Sequence, residues 1–133
     1  MATVKKFEDM EVWKKARELD NIIFEVSKKR EFAKDFELKQ QIRKSSGSVM
    51  DNIAEGFERG GKGEFIQFLG ISKGSIGELR SQNYRAHDRQ YIAKQEFDTI
   101  YNGCIEISKM LQGFMDYLQN SEIRGSKYIT NKK

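Results

Sequence analysis

The chain has 133 residues, of which 33% are charged and 38% hydrophobic, and it contains no proline. A chain of this length can bury one continuous core without metals or disulfides, so we expect a single domain. The basic excess is small, with 24 basic against 20 acidic residues and a net charge of +4, which permits anionic partners without requiring them. Cys104 is the single cysteine, so no intramolecular disulfide can form and a reducing, cytoplasmic location is predicted. No apolar run approaches the roughly 18 residues of a membrane span, which argues against a membrane protein.

Apolar residues recur every three or four positions in four segments, as they do on the buried face of a helix. In the first segment Ile22 and Phe24 widen the apolar stripe, as though that helix contacted more than one neighbour. The four predicted helices span about Asp9–Lys29, Phe36–Arg59, Glu64–Asp88 and Lys94–Asn120. Their predicted core positions are Val12, Trp13, Ala16, Leu19, Ile23 and Val26; Leu38, Ile42, Ser45, Val49, Ile53 and Phe57; Phe65, Leu69, Ser72, Ile76, Leu79 and Asn83; and Phe97, Ile100, Cys104, Ile107, Leu111, Phe114 and Leu118.

The segments between the helices are short. A charged connection follows the first helix, and in it Asp35 is a candidate N-cap for the second. The glycine-rich stretch 59–63 predicts a turn before the third helix. Because short links place neighbouring helices antiparallel, we predict an all-α, up-down-up-down four-helix bundle over residues 1–120. Residues 121–133 are basic and lack periodicity, which predicts a flexible tail.

A polar cluster, Asp51, Asn52 and Glu55, lies among apolar residues of the second helix. A carboxylate-bridged metal site in a helical bundle would need Glu-x-x-His pairs, but the single histidine, His87, has no glutamate three residues before it. The simpler interpretation pairs Glu55 with Arg59 one helical turn later and places Asn52 in hydrogen bonds at a helix contact. We therefore predict no metal site and no cofactor.

Residue types that carry catalysis are sparse. His87 falls near a predicted helix end, with no serine or cysteine nucleophile recognisable beside it, and Cys104 occupies a core position where a buried thiol is inert. The stretch "RGGKGEF" lacks the spacing of a phosphate-binding loop and the strand that should precede one. No catalytic residue and no enzymatic activity are predicted.

The third predicted helix carries a stripe of small residues that includes Gly70, Gly74 and Gly77. Each interior glycine costs a helix roughly 1 kcal/mol relative to alanine, so close approach of another helix should offset the cost. That contact could lie inside the bundle or between subunits. Since other residues of this helix already supply a core face, we favour a subunit contact. The full stripe is Gly63, Ile66, Gly70, Gly74, Gly77 and Ser81.

Basic residues group on the second and third predicted helices and on the turn between them. In a single copy they can be an ordinary solvated face balanced by acids. Repeated around a ring of subunits, they would form a positive surface that binds nucleic acid by counterion release. The candidate nucleic-acid-binding residues are Arg43, Lys44, Arg59, Lys62 and Arg80.

Three stretches together resemble a known family. They are "FEDMEVWKKARELDNIIFEVSK" (7–28), "LKQQIRKSSGSVMDNIAEGFERG" (38–60) and "EFIQFLGISKGSIGELRSQ" (64–82). The chain resembles, over about residues 1–119, the bacterial four-helix-bundle proteins encoded within intervening sequences of large-subunit ribosomal RNA genes. A related branch comprises the accessory variability proteins of diversity-generating retroelements.

The resemblance implies a ring-shaped homopentamer and, for the retroelement branch, nucleic-acid binding and association with a reverse transcriptase. It also places Asn52, Glu55 and Gly56 in the family signature, which implies an architectural role for them rather than a catalytic one. The leading hypothesis is a non-enzymatic, homo-oligomeric helical-bundle accessory or scaffold protein that binds RNA or DNA non-specifically through basic surface residues. The alternative is a protein-interaction module without nucleic-acid binding.

Overall fold

The four long helices form where the apolar period and the absence of proline predict them. The structure is a computed structural model that describes residues 3–121 and 128–129. Besides the helices, the described chain has a short 3₁₀ turn, Phe7–Asp9, and one pairing of two-residue strands, β1 (Thr3–Val4) with β2 (Tyr128–Ile129). The helices are α1 (Glu11–Ser27), α2 (Arg30–Lys34), α3 (Phe36–Arg59), α4 (Lys62–Asp88) and α5 (Lys94–Gln119).

The observed elements depart from the prediction at three places. The first helix begins at Glu11, two residues after the predicted start at Asp9, because the 3₁₀ turn occupies Phe7–Asp9. The predicted charged connection contains the short helix α2, which forms around Phe32: this side chain is 1% exposed and its ring stacks on Tyr91 at a centroid distance of 5.2 Å. The glycine-rich turn is confirmed but shorter than predicted, since Gly60 ends α3 with a left-handed φ of 88° and α4 begins at Lys62.

One hydrophobic core lies between the long helices. All predicted core positions are buried except three aromatic residues, Trp13, Phe97 and Phe114, which are partly buried and pack against that core. Cys104 is fully buried, as its position predicts. Among the described residues, no helix combines the length and the apolar character that crossing a membrane would require.

The long helices contact one another in a closed order: α1 with α3, α3 with α4, α4 with α5, and α5 with α1. Within each pair, residue numbers rise along one helix as they fall along the other. The contacts that show this are, in the same order of helix pairs, Asp20–Ser46 and Ser27–Arg43; Val49–Ser72 and Gln41–Arg85; Asn83–Phe97 and Phe65–Phe114; and Lys15–Glu106 and Leu19–Gly103.

Most of the predicted basic tail lies outside the described residues. Of 121–133, the structure describes residue 121 and the strand Tyr128–Ile129, which runs antiparallel to Thr3–Val4. The division into a domain over 1–120 and a tail over 121–133 stays a prediction.

Asp35 ties the start of α3 to the turn between α4 and α5. Its Oδ1 accepts a hydrogen bond from the backbone N–H of Leu38 at 3.2 Å, which confirms the predicted N-cap. Its Oδ2 accepts from the Tyr91 hydroxyl and from Arg89 Nη1, both at 2.8 Å. These donors, the Tyr91 hydroxyl foremost, favour the charged carboxylate and hold the pKa of Asp35 below its ordinary value of 3.8.

Replacing Asp35 with asparagine should make the free energy of unfolding less dependent on pH. A carboxylate whose pKa is lowered in the folded state stabilises the fold above its unfolded pKa, and that contribution is lost as pH falls through the folded value. Asparagine still caps a helix, so Asp35→Asn removes the charge while it keeps the cap. We expect the variant to be less stable at pH 7 and the difference to shrink below about pH 4. Urea unfolding, followed by circular dichroism at pH 7, 5 and 3, measures the free energy of unfolding of the variant and of the unsubstituted chain. If the difference between the two stays constant across that pH range, the expectation is contradicted.

Candidate nucleic-acid interface

Asn52 lies at the contact between α3 and α4. Its Nδ2 donates to the backbone oxygen and to Oγ of Ser48, both at 2.8 Å. Ser48 Oγ in turn lies 2.9 Å from Ser75 Oγ on α4. One turn away, Ser72 Oγ donates to the backbone oxygen of Val49 at 2.7 Å. Both hydrogen bonds of Asn52 therefore lie within α3, and Ser48 carries the link from Asn52 to α4.

Gly56 marks the closest approach of the same two helices. A Cβ at this position would lie 2.6 Å from Phe68 Cβ and 3.0 Å from Phe65 Cδ1, so no larger residue fits without movement. Glu55, the third signature residue, faces solvent, and its Oε2 lies 2.9 Å from Arg59 Nη2, which confirms the predicted pair. Of the three signature residues, Gly56 meets α4 directly, Asn52 is linked to it through Ser48, and Glu55 pairs within α3.

The residue types that could carry chemistry do not assemble. The described residues contain no group of three or more His, Cys, Asp or Glu that could hold a metal ion. Burial raises the pKa of Cys104 to about 12, which keeps its thiol protonated. His87 lies in the last turn of α4, with its ring 4.8 Å from the ring of Phe97.

The five predicted cations do not share one surface. Arg43 and Lys44 lie in the first half of α3, whereas Arg59 is sixteen residues further on, or roughly 24 Å along the axis. Arg59 forms ion pairs with two glutamates, Glu55 at 2.9 Å and Glu64 at 3.5 Å. Lys62 donates to the backbone oxygen of Ser121, and Arg80 lies on α4, where its charge acts on the Cys104 thiol.

Arg43 and Lys44 belong to a surface that also carries two exposed phenylalanines. Phe36 is 63% exposed and Phe24 is 46% exposed. The guanidinium carbon of Arg43 lies 4.3 Å from the centroid of the Phe24 ring, and Lys39 Nζ lies 5.4 Å from that of Phe36. We name this surface the α1–α3 strip; it consists of Phe24, Lys28, Phe36, Lys39, Arg43 and Lys44.

Three cations of the strip differ from the fourth in their pairing. Lys39, Arg43 and Lys44 form no ion pair with any of the described residues, whereas Lys28 pairs with Glu25 at 3.2 Å. Arg43 is held in place by a hydrogen bond from its Nε to Oγ of the buried Ser27 at 2.7 Å. Free positive charges beside exposed aromatic rings are typical of nucleic-acid-binding surfaces.

Sequence reasoning identified two cations of the strip, Arg43 and Lys44, but not its aromatic residues. The expectation that the first helix contacts more than one neighbour is confirmed, since α1 contacts both α3 and α5. Phe24 takes part in the contact with α3 at the surface, where its ring lies under Arg43. Phe36 was not singled out. The signal was present in the spacing, since Phe24 and Lys28, and Phe36 and Lys39, stand one helical turn apart.

The glycine stripe of α4 faces away from the core. Gly70, Gly74 and Gly77 are exposed, and nothing lies within 4 Å of a Cβ built at Gly74 or Gly77. The possibility that this stripe packs inside the bundle is therefore wrong. Two large side chains flank the stripe on the same helix, Ile71 at 46% and Tyr84 at 50% exposure.

The model of the 23S rRNA-intervening sequence protein family matches residues 8–113. The chain belongs to this family. The resemblance drawn from the three motifs is thereby confirmed for the intervening-sequence family, and the relation to the retroelement branch stays a prediction.

A crystal structure of a protein with unknown function from the S23 ribosomal protein family of Bacteroides thetaiotaomicron VPI-5482 has a similar fold. The two chains are 22% identical, the match covers 78% of this chain and 97% of the other, and the TM-score is 0.68. No curated protein sequence matches the chain. The part that matches the 23S rRNA-intervening sequence family includes α1 to α4 in full, and with them both the signature residues and the strip.

Substitution of two glycines by alanine should have opposite effects on stability. Gly56→Ala forces a methyl group against Phe68, and overpacking of this kind costs about 1–3 kcal/mol. Gly74→Ala adds a methyl group in open space and should stabilise the folded chain by up to about 1 kcal/mol through helix propensity. Urea unfolding of both variants beside the unsubstituted chain measures the two changes. Equal effects at the two positions would show that α3 and α4 are not in close contact at Gly56.

Proposed function

We propose that this protein is a non-enzymatic, homo-oligomeric helical-bundle accessory or scaffold protein that binds RNA or DNA without sequence preference. The observation that carries the proposal is the α1–α3 strip, where Lys39, Arg43 and Lys44 stand together without carboxylate partners among the described residues. Cations of this kind bind phosphate oxygens, and phosphate contacts carry no information about base sequence. Affinity then arises from counterion release and falls with salt.

The proposed architecture is an antiparallel, up-down-up-down four-helix bundle. It is supported by the contacts in all four helix pairs, since residue numbers rise along one helix of each pair as they fall along the other. The short α2 is an addition between the first two long helices and does not alter that order.

Assembly is proposed to use the exposed glycine stripe of α4. A Cβ at Gly74 or Gly77 would meet nothing within 4 Å in the described chain, and one at Gly70 would meet only Met115 Sδ, at 4.0 Å. Each glycine nevertheless costs the helix about 1 kcal/mol. A flat stripe flanked by Ile71 and Tyr84 offers a second copy both close backbone approach and apolar area. The ring of five subunits implied by the family resemblance would repeat the α1–α3 strip, and linked copies bind a long polyanion more tightly than one copy does.

The absence of catalysis is part of the proposal. The Cys104 thiol is buried with a pKa near 12 and cannot supply a thiolate nucleophile at neutral pH. Two residues of the polar cluster have structural partners: Asn52 donates to Ser48, which is linked to Ser75 on α4, and Glu55 forms an ion pair with Arg59.

Binding to nucleic acid should depend steeply on salt and on two strip lysines. We expect the protein to bind a mixed-sequence RNA or DNA pool at 50 mM salt, because each phosphate contact releases a counterion. Lys39→Gln with Lys44→Gln should lower affinity and reduce the slope of log K against log salt by about 2, one unit for each lost contact. Fluorescence anisotropy across a salt series measures both quantities.

A matched double variant tests whether position matters or only total charge. Lys5 and Lys109 are exposed and likewise form no ion pair with the described residues, but they lie outside the strip. Lys5→Gln with Lys109→Gln should leave most of the affinity intact. Equal losses in the two double variants would refute the strip as the binding surface, and no binding of either pool at low salt would favour a protein-interaction module.

A leucine in the glycine stripe should disrupt assembly. Gly74→Leu places a bulky side chain in the proposed subunit contact, so multi-angle light scattering should report a smaller mass than for the unsubstituted assembly, which we expect at five times 15.5 kDa. Gly113→Leu is the control, because Gly113 is also an exposed helical glycine with open space around it, but on α5. An unchanged mass for Gly74→Leu would place the subunit contact elsewhere.

A further inference from the structure

We infer that the α1–α3 strip binds single-stranded nucleic acid, with unpaired bases stacking on Phe36 and on the Arg43–Phe24 pair. The inference rests on the proposed nucleic-acid binding and adds to it a preference for unpaired strands. Base stacking on aromatic side chains is tolerant of sequence, because every base presents a flat face.

The exposure of the two phenylalanines is what requires an explanation. The chain contains nine phenylalanines, all within the described residues, and Phe24 and Phe36 are the two that are exposed. Both rings lie close to a cation: the guanidinium carbon of Arg43 is 4.3 Å from the centroid of the Phe24 ring, and Lys39 Nζ is 5.4 Å from that of Phe36. Apolar rings surrounded by positive charge fit a ligand that is flat, apolar on its faces and anionic along its backbone.

The spacing of the rings suits a strand laid along α3. Phe36 and Arg43 are seven residues apart on one face of the helix, which corresponds to roughly 10 Å along the axis. Lys39 and Gln40 lie between them on that face, and all four residues line one shallow surface depression. A single strand can therefore place bases at both ends of the strip while its phosphates pass the lysine.

The guanidinium of Arg43 is fixed in advance. Ser27 Oγ accepts a hydrogen bond from its Nε at 2.7 Å and itself donates to the backbone oxygen of Phe24 at 3.1 Å. Because Ser27 is fully buried, this support cannot shift with the surface side chains. A partly exposed guanidinium held over a ring offers a planar surface, and unpaired bases stack on such planes as they do on aromatic rings.

The strip ends where negative charge begins. Further along α3, Asp51 and Glu55 line the same groove as Arg43 and Lys44. Carboxylates repel phosphates, so the strand is confined to the first half of the helix and each copy contacts only a few nucleotides. A duplex would present its phosphates to Lys39 and Lys44, but its bases are already stacked and paired and cannot reach the two rings.

Paired substitutions of the rings test the inference. Phe36→Leu keeps an apolar side chain but removes the flat aromatic face, whereas Phe36→Tyr keeps that face. Phe24→Leu and Phe24→Tyr make the same pair of changes at the other end of the strip. Anisotropy is measured with a mixed-sequence 20-nucleotide single strand and with the duplex of equal length. We expect each leucine variant to bind the single strand roughly five- to a hundred-fold more weakly, the duplex to change less than two-fold, and the tyrosine variants to match the unsubstituted protein.

Three outcomes would overturn the inference, and they can be told apart from failure of the proposed function. Stacking would be excluded if the leucine variants bind the single strand and the duplex normally, or if they lose affinity for both equally. If the Lys39→Gln, Lys44→Gln variant still binds more weakly, the proposed phosphate contacts are retained. A smaller assembly mass for the leucine variants by light scattering would make the strip a contact between copies. Circular dichroism shows whether each variant is folded, and the tyrosine variants keep the test valid if a leucine variant is not.

Discussion

The approach of α3 to α4 at Gly56 is the constraint on which the other surfaces depend. A Cβ there would lie 2.6 Å from Phe68 Cβ, so the two backbones meet only because α3 has no side chain at that point. The hydrogen bonds of Asn52, Ser48 and Ser75 continue the same seam. A contact along one face of a helix fixes the rotation of the whole helix about its axis, because a helix has 3.6 residues per turn. The face of α3 that carries Arg43 is turned outward as a consequence.

Local pairing, more than net charge, decides which cations are available to a ligand. Arg59 lies beside Glu55 and Glu64, which raise its pKa and compensate its charge. Arg43 has no carboxylate partner among the described residues and is held instead by the neutral hydroxyl of Ser27. A net charge of +4 does not distinguish these two arginines. The distinction follows from the tertiary contacts that surround each one.

Periodicity predicted the long helices and their buried faces because both follow from contacts close in sequence. It missed α2, since five residues are too few to show a period and one buried side chain, Phe32, holds that helix in place. The spacing of Gly70, Gly74 and Gly77 also placed them on one helix face, but it could not show whether that face is buried inside the bundle or exposed on its surface. The pairing of Phe24 with Arg43 could not be predicted for a similar reason: the two residues come from different helices and meet only in the folded chain.

The two proposed surfaces lie on different sides of the molecule, which makes them compatible. α1 contacts α3 and α5, and α4 contacts the same two helices, so α1 and α4 stand across the core from each other. Copies joined through the exposed stripe of α4 would leave the strip at α1 and α3 uncovered. Within the described part of the chain, each copy offers there three cations without ion pairs and two exposed rings, which is a weak site by itself. Repetition in an assembly would raise the local concentration of such sites and convert weak contacts into stable binding. The proposed assembly and the proposed nucleic-acid binding would thus be linked by avidity, and disrupting the α4 contact should weaken binding to long strands more than to short ones.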